Sequence, residues 1–395
     1  MNAPTSSPEP EVNPFTPEIA ACPQAEYARI RAQCPVGRMP VIGLPVVARH
    51  EDVVWALRHP EIFSSEMAAQ VALGTERPMI PQQIDPPRQT RYRKILDPQF
   101  SRKRMAELEP RVRAHATELI DAIIDRGECE FDSAFAIPLP CSAFLGLMGL
   151  PQEELGLFLE LKDGIIRPPV EPIDLEGGKE YRRKTGRRIY DYFEGLIDER
   201  LAQPRDDIMS YLVRAEMDGE RLSRDEILDI CFLFLLGGLD TVTATLGCSV
   251  AYLAENPEQR RRLVADATKI PGAVEELLRW ETPVMAIPRL ALQDVTLAGK
   301  EIRKGELVTL LIGSANTDET AFPDAHCVDF DREANRHIAF GVGPHRCLGS
   351  HLARMELRVA LEEWHRRIPD YAIKPGEKPV YTVGIREVRY LPLVW

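Results

Sequence analysis

The chain has 395 residues, of which 44% are hydrophobic and 28% are charged, and its formal net charge is −12 at pH 7. This composition supports a large buried core and excludes a disordered or collagen-like chain. Because the surface is acidic, nucleic acid and anionic membranes are unfavourable ligands.

The eight cysteines are scattered along the chain, and no two of them form a Cys-x-x-Cys pair. No signal peptide is recognisable, and no uninterrupted apolar run reaches the ~20 residues needed to cross a bilayer. The scattered cysteines are typical of reduced thiols. The other two features are typical of a protein that does not enter a membrane. We therefore expect a cytoplasmic protein.

The first residues of the chain are rich in proline. Five prolines occur among Ser, Asn and Glu within residues 1–18. Proline lacks a backbone N–H and fixes its own φ, so this composition does not support a helix. We predict a flexible N-terminal arm over residues 1–18 and a single folded domain over residues 19–395.

Beyond the arm, apolar residues recur mostly with the spacing of amphipathic helices, as in residues 105–126 and 184–201. Alternation typical of strands is confined to residues 40–49, residues 295–312 and the C-terminus. No repeat or Gly/Ser linker divides the chain. The sequence predicts a mainly α fold with small β-sheets.

The most informative predicted helix begins at Ser223, which forms a Ser-x-x-Glu capping box with Glu226. It is predicted to continue for about 30 residues, as far as Asn256. Its middle is apolar on every side and contains Gly237-Gly238-Leu239-Asp240-Thr241, which indicates a buried helix with open space beside the glycines. A core helix with tolerated glycines is the alternative interpretation.

A single cysteine, Cys347, lies in a loop with several glycines and a proline, Phe340 to Gly349, directly before a helical pattern over residues 350–366. Glycines leave room for a flat group, and the amides and helix N-terminus near the sulfur favour a thiolate. A small buried thiol is the common alternative. A zinc site formed with His345 is less favoured, because no second ligand pair has suitable spacing.

The loop around Cys347 resembles the haem-ligand signature of the cytochromes P450, Phe-Gly-x-Gly-x-His-x-Cys-x-Gly, and every fixed position matches. Further matches occur in the family's order and at the family's separations. They are Asp85-Pro86-Pro87, Gly237-Gly238-x-Asp240-Thr241, Glu276-x-x-Arg279 and Leu352-Ala353-Arg354-x-Glu356. The resemblance covers residues 48–395. It implies a P450 catalytic domain with the haem between the long central helix and the cysteine loop.

Within this family, the segment from Cys347 to Arg354 and the terminal Leu391 to Trp395 are most similar to the camphor-hydroxylating bacterial group. This likeness implies a soluble enzyme that receives electrons from NAD(P)H through a reductase and a [2Fe-2S] ferredoxin. We further expect a monomer. The tyrosine with which that group binds camphor has no counterpart between Met67 and Ile84, so camphor itself is not implied.

The resemblance implies haem b as the cofactor, O2 as the co-substrate and Cys347 as the axial ligand of the haem iron. It gives Asp240 and Thr241 a catalytic role in proton delivery, which suits an acid beside a hydroxyl. It makes Glu276 and Arg279 a buried structural ion pair. The other residues that it places against the haem are Arg93, Arg289, His345, Phe340, Gly341, Gly349 and Gly237.

The positions that match the family's substrate pocket are nearly all apolar. They are Met79, Ile80, Leu233, Leu236, Val284, Met285, Ala286 and Ile385. Such a lining favours a small hydrophobic substrate, which we predict to be terpenoid-like. Arg77 is the nearby group able to pair with a substrate carboxylate, although an arginine beside Pro78 more often faces water.

Basic residues cluster within residues 88–104 of this acidic chain. The resemblance places them on the cysteine side of the haem, where an acidic ferredoxin could dock. The predicted redox-partner face consists of Arg91, Lys94 and Arg354. The sequence thus predicts a haem-thiolate monooxygenase that hydroxylates its substrate. The alternatives are a peroxide-driven peroxygenase, which needs no proton relay, and a non-enzymatic haem-thiolate sensor, which also needs no ferredoxin face.

Overall fold

The structure is a computed structural model, and it describes residues 13, 15–40, 42–67, 73–171 and 174–395. Over these residues the chain is mainly helical with small sheets, which confirms the predicted fold class. The helices are α1 (Pro17–Ala21), α2 (Pro23–Gln33), α3 (His50–Arg58), α4 (Arg88–Leu96), α5 (Arg102–Asp121), α6 (Pro138–Met148), α7 (Leu155–Ile166), α8 (Leu175–Ala202), α9 (Ile208–Leu212), α10 (Arg224–Gly238), α11 (Thr241–Glu255), α12 (Pro257–Ala265), α13 (Ile270–Glu281), α14 (Ile312–Asn316) and α15 (Ser350–Arg367).

The strands are short and belong to several small sheets. They are β1 (Val36–Arg38), β2 (Pro45–Val47), β3 (Phe63–Ser64), β4 (Glu128–Glu130), β5 (Glu216–Met217), β6 (Glu220–Arg221), β7 (Ile287–Ala291), β8 (Val295–Leu297), β9 (Lys300–Ile302), β10 (Leu307–Leu310), β11 (Ala372–Ile373), β12 (Val380–Tyr381), β13 (Val388–Tyr390) and β14 (Pro392–Val394). The largest sheet has five strands in the order β1-β2-β10-β7-β3. The predicted strand regions therefore contain strands.

The helical core is centred on α15, which packs against α5, α6, α11 and α13. Trp364 on α15 is fully buried, and its ring centroid lies 4.7 Å from that of Phe131 and 5.2 Å from that of Phe135. Aromatic contacts at these distances add to the stability gained by burial. Because α15 directly follows the Cys347 loop, this packing anchors the loop to the core.

The predicted N-terminal arm, residues 1–18, lies mostly outside the described residues and stays a prediction, although its last two residues belong to a helix. Helix α1 already begins at Pro17. The Thr16 side chain accepts a hydrogen bond from the Ile19 N–H, and Pro17 occupies the first helical turn, where its missing N–H leaves no bond unmade. Proline therefore starts a helix here.

The predicted single central helix is corrected, because it is interrupted. Helix α10 ends at Gly238 and α11 begins at Thr241. Paired glycines weaken a helix, and the carboxylate of Asp240 at the interruption is held by cations on α7. A Cβ on Gly238 would lie 2.4 Å from the Phe144 ring, whereas a Cβ on Gly237 would meet nothing within 4 Å. One glycine thus permits close packing and the other borders open space.

The helical stretch Arg224–Glu255 is, within the described part of the chain, the one candidate for a membrane span by length and composition. Of its most apolar window, 72% is buried inside the protein. Burial of this kind is typical of core helices in a soluble fold, and it explains why the stretch is apolar on all sides.

Candidate active site

The loop that carries Cys347 is held in a tight turn by its own backbone. The Cys347 N–H donates to the Phe340 carbonyl oxygen at 2.7 Å. Gly343 has a φ of +78°, and a Cβ there would lie 2.6 Å from the Leu57 carbonyl oxygen. Both features require glycine. The sulfur is thereby presented just before the first turn of α15.

The Cys347 side chain is surrounded by protein and yet exposed. Burial raises the pKa of its thiol, and the Gly349 N–H and the nearby cations, Arg93 first among them, oppose that rise. The Cys347 thiol is therefore close to cations and an amide and remains accessible. Gly349 also borders open space, since a Cβ there would meet nothing within 4 Å.

Two donors at this loop, Arg289 and His345, have no anion within hydrogen-bond distance among the described residues. Arg289 is 6% exposed, donates to the Pro288 carbonyl oxygen at 2.8 Å, and has no carboxylate within ion-pair distance among the described residues. Burial lowers the pKa of Arg289 to about 10, in spite of Asp85. The buried His345 Nε2 has no hydrogen-bond partner in the part of the chain that the structure describes, and it lies 3.8 Å from Asp85 Oδ1. Such groups are suited to bind carboxylates.

Helix α4 is tied to the cysteine loop by two side chains. Arg93 Nη1 donates to the Arg346 carbonyl oxygen at 2.6 Å, and Arg93 Nε donates to Asp97 at 2.7 Å. Gln89 Nε2 donates to the Pro344 carbonyl oxygen at 2.7 Å. No role was predicted for Gln89, although its position one helical turn before Arg93 could have indicated a contact with the cysteine loop.

These residues fit a haem. The accessible Cys347 would supply the thiolate ligand, and the open space at Gly237 and Gly349 leaves room for a flat macrocycle. Arg289 and His345 have no anion within hydrogen-bond distance among the described residues, and Arg93 is close enough to influence the pKa of His345, so these three would hold the propionates.

Comparison with known proteins agrees with this geometry. The model of the family described as Cytochrome P450 matches residues 179–366. Probable cytochrome P450 127A1 from Sinorhizobium fredii is 36% identical to this chain, over 87% of this chain and 81% of that protein. The chain belongs to the cytochrome P450 family.

Further relatives of this P450 are similar over most of their length. Steroid C26-monooxygenase from Mycolicibacterium smegmatis is 36% identical over 87% of this chain and 85% of that protein. The crystal structure of CYP109E1 from Bacillus megaterium in complex with testosterone has a TM-score of 0.89 and 30% identity, and the match covers 96% of this chain and 99% of that one. The protein is a P450 monooxygenase of bacterial type, with haem b as cofactor and O2 as co-substrate.

The helix interruption of the P450 holds a buried ion-pair cluster at Asp240. Lys162 Nζ lies 2.8 Å from Asp240 Oδ1, and Arg167 Nη2 lies 3.1 Å from Asp240 Oδ2. Burial alone would raise the pKa of Asp240, but these two cations outweigh it and lower that pKa. Thr241 Oγ1 donates to the Gly237 carbonyl oxygen at 3.3 Å. The sequence placed Asp240 and Thr241 together, but it gave no indication of Lys162 or Arg167.

Glu276 and Arg279 form the ion pair that the resemblance implies. Both side chains are fully buried, and Arg279 Nη2 lies 2.7 Å from Glu276 Oε1. Arg332 Nε and Asn335 Nδ2 each donate to Glu276 Oε2 at 3.0 Å. Arg279 also donates to the Asn316 carbonyl oxygen at 3.0 Å. The pair is thus the centre of a network that joins α13 to the segment before the cysteine loop.

The predicted substrate residues differ in their exposure. Met79, Ile80 and Met285 are at most 3% exposed and are covered by neighbouring protein. Val284 and Ile385 come together in an isolated antiparallel bridge. The predicted pocket residues that keep partly exposed surface are Leu233, Leu236, Val284, Ala286 and Ile385.

Of the predicted redox-partner face, Arg354 is held by an ion pair within the fold, and its role at a partner stays a prediction. Its guanidinium donates to both carboxylate oxygens of Glu275, at 2.6 and 2.8 Å, and lies 4.4 Å from the centroid of the Phe340 ring. Its charge is therefore balanced within the fold, and Arg354 supports the ligand loop. Arg91 pairs with Asp218, although both side chains are at least 50% exposed, and Lys94 is exposed.

Glu356 is a buried acid at the end of the Leu352-Ala353-Arg354-x-Glu356 motif, and no role was predicted for it. It is 2% exposed, and its Oε1 accepts no hydrogen bond among the described residues. Burial raises the pKa of Glu356 well above its usual value. Folding therefore takes up a proton at this carboxyl group at pH values where an exposed glutamate is already ionised.

We expect Glu356→Gln to raise the Tm at neutral pH. The stability that the protonated Glu356 contributes is complete below the ordinary pKa of glutamate. It is lost as the pH rises toward the folded-state pKa, by up to about 1.4 kcal/mol per pH unit. Glutamine does not titrate. Thermal unfolding at several pH values should give Tm values that converge in acid and diverge toward neutrality, and a difference independent of pH would contradict this.

Proposed function

We propose that this P450 hydroxylates a neutral lipophilic substrate with an alicyclic skeleton, of the terpenoid or steroid class. We also propose that a [2Fe-2S] ferredoxin relays electrons to it from an NAD(P)H-dependent reductase, and that it acts as a cytoplasmic monomer. The observation that carries the proposal is the exposed Cys347 side chain in its glycine-containing loop, with the donors Arg289 and His345 near it, neither of which has an anion within hydrogen-bond distance among the described residues. When bound there, the haem supplies oxygen activation through its thiolate ligand.

The preference for a neutral substrate rests on Arg77. The guanidinium is turned toward the protein, contrary to the expectation that it faces water, and Arg77 Nε lies 3.0 Å from Asp229 Oδ2. Arg77 Nη1 lies 3.4 Å from Asp225 Oδ1, and the guanidinium lies 5.3 Å from the centroid of the Tyr190 ring. Because protein carboxylates balance this cation, it does not serve as an anchor for an acidic substrate.

The size of the substrate is less restricted than the sequence suggested. One similar protein is named a steroid C26-monooxygenase, and a similar structure contains testosterone. Both names support a lipophilic polycyclic skeleton, whereas the likeness to the camphor-hydroxylating group favours a smaller terpenoid. Apolar burial contributes about 25 cal/mol per Å² in either case, so binding depends on displaced water more than on polar contacts.

We expect neutral terpenoids or steroids to bind more tightly than their carboxylated analogues. The low-to-high spin shift of the haem, titrated with matched neutral and acidic ligands, measures this. Arg77→Ala should leave the order of affinity unchanged. Arg187→Ala is the matched control, because Arg187 pairs with the exposed Asp191. If the carboxylated ligands bind more tightly and this advantage is lost in Arg77→Ala, the proposed preference for neutral substrates is contradicted.

The ferredoxin proposal is supported by the charge around the cysteine loop. Arg93 and Arg346 are close enough to Cys347 to lower the pKa of its thiol, and Arg346, Lys94 and Arg102 are exposed. These cations stand out on a protein with a formal net charge of −12. An acidic partner would be steered to this side, and its docking would weaken as salt screens the charges.

We propose that Thr241 and Asp240 deliver protons at the helix interruption. Thr241→Ala is then expected to keep the haem and the substrate but to lower product formed per NAD(P)H several-fold, with more hydrogen peroxide released. Turnover with a surrogate ferredoxin and reductase measures both quantities. Unchanged coupling would remove Thr241 from proton delivery. Equal or faster turnover with hydrogen peroxide alone would favour the peroxygenase alternative.

A further inference from the structure

A second buried carboxylate shares the cation that holds Asp240. Arg167 Nη2 donates to Asp240 Oδ2 at 3.1 Å and also to Glu387 Oε2. The side chains of Asp240 and Glu387 are 0% and 3% exposed. The sequence analysis gave Glu387 no role, and Glu387 follows Asp240 by 147 positions. One guanidinium therefore joins two acids that belong to different parts of the fold.

The charges in this cluster are unevenly shared. Lys162 pairs with Asp240 at 2.8 Å and with Asp163 at 3.2 Å, and Asp163 is 40% exposed. Glu387 has Arg167 as its close cation, and its other basic neighbour, Arg389, is 3.9 Å away and 45% exposed. Arg167 is therefore the main cation that balances the negative charge of an ionised Glu387. Arg167 also binds Asp240 and, at 3.0 Å, the partly exposed Asp163, so the two buried acids compete for the rest of its charge.

The backbone fixes Glu387 in this position. Ile385 pairs with Val284, and the Arg386 N–H donates to the Pro283 carbonyl oxygen at 2.8 Å. The Arg386 side chain is held by Glu281, with Nε donating at 2.8 Å. The Glu387 carbonyl oxygen accepts from the Thr382 N–H at 3.0 Å. This segment can move little, so adjustment of the cluster falls to the side chains.

We propose that Glu387 is a positioning residue for Asp240, because an ionised Glu387 holds part of the Arg167 guanidinium and leaves the Asp240 carboxylate able to turn toward Thr241. This inference rests on the proposed role of Asp240 and Thr241 in proton delivery. When Glu387 takes up a proton, Arg167 is left to Asp240 and to the partly exposed Asp163, the ion pair with Asp240 tightens, and proton delivery slows.

The direction of the pH dependence follows from the surroundings of Glu387. Burial raises the pKa of Glu387, Arg167 opposes that rise, and Asp240 adds to it. Glu387 is therefore protonated as the pH falls, earlier than an exposed glutamate. Arg389 and Lys162 also act on Glu387 and oppose the rise in its pKa. Burial and Glu387 raise the pKa of the neighbouring Asp132 to about 7, and Glu130 adds to that rise.

The experiment compares Glu387→Gln with Asp163→Asn in the haem-loaded enzyme. Each change removes a carboxylate that binds Arg167, but Asp163 is partly exposed. We expect wild type and Asp163→Asn to lose product per NAD(P)H as the pH falls. Glu387→Gln should have a several-fold lower yield that varies little with pH and a larger solvent isotope effect. Glu387→Asp should restore part of the pH dependence.

A readout without turnover completes the test. A protonated Glu387 has an infrared C=O band that should appear in acid in wild type and Asp163→Asn and be absent in Glu387→Gln. If Glu387→Gln fails to bind haem, the pH profile of Glu387→Asp and the infrared band of the wild type still test the inference. An unchanged pH profile in Glu387→Gln, or a band that it retains, would overturn the inference. Uncoupling in Thr241→Ala with no effect of Glu387→Gln refutes the positioning role alone, whereas no uncoupling in Thr241→Ala refutes the relay itself.

Discussion

Cys347→Ala is expected to abolish the red-shifted Soret band that thiolate-ligated haem shows after reduction under carbon monoxide. The physical reason is that the loop presents this sulfur, through the hydrogen bond from the Cys347 N–H to the Phe340 carbonyl oxygen and the positive φ that Gly343 allows. Alanine has no sulfur, so position 347 can no longer supply a thiolate ligand. The loss should be essentially complete, since the axial ligand itself is removed.

The matched controls are the exposed cysteines outside the loop, Cys22 and Cys327. Their alanine variants should keep the full band and the wild-type haem content. Cys347→Ser is a second test, because serine preserves the size of the side chain and removes the thiolate. If a control variant loses the band while Cys347→Ala retains it, the ligand assignment is wrong.

The contrast between the ligand loop and the Asp240 cluster shows what the sequence could predict. The loop signature occupies ten consecutive positions, so its residue types and spacing are visible together. The residues that bind Asp240, Lys162 and Arg167, come from the end of α7 and the position after it, and Glu387, which shares Arg167, directly precedes β13. No local pattern marks these positions. A lysine near the end of a helix is ordinarily a surface residue, and only the three-dimensional packing buries Lys162.

Competition between side chains accounts for the other differences. The apolar pattern over residues 224–255 is continuous and predicts one helix, whereas the break at Leu239 and Asp240 depends on Phe144 beside Gly238 and on the cations of α7. Arg354 is basic and close to the ligand cysteine in the sequence. Its pairing could not be predicted, because Glu275 belongs to a helix that is distant in the sequence. In each case the deciding partner is remote in the chain.

Glu276→Gln is expected to lower the free energy of unfolding by about 3–5 kcal/mol, because it leaves the buried Arg279 without its counter-ion. Arg279 is 0% exposed, and its remaining acceptors are neutral carbonyl groups, including that of Cys327 at 2.8 Å. Arg332 also loses its acceptor charge. We expect little haem-bound protein and a strongly reduced urea midpoint.

The neighbouring acid provides a control one position away. Glu275 is 30% exposed and pairs with Arg354, which is 29% exposed, at 2.6 Å. Water can replace much of that interaction, so Glu275→Gln should cost about 1 kcal/mol or less. The same substitution at adjacent positions thus differs mainly in burial. Equal urea midpoints for the two variants would show that the Glu276 network does not stabilise the segment before the ligand loop. A large loss confined to Glu276→Gln would make the buried ion pair a requirement for the fold that holds Cys347.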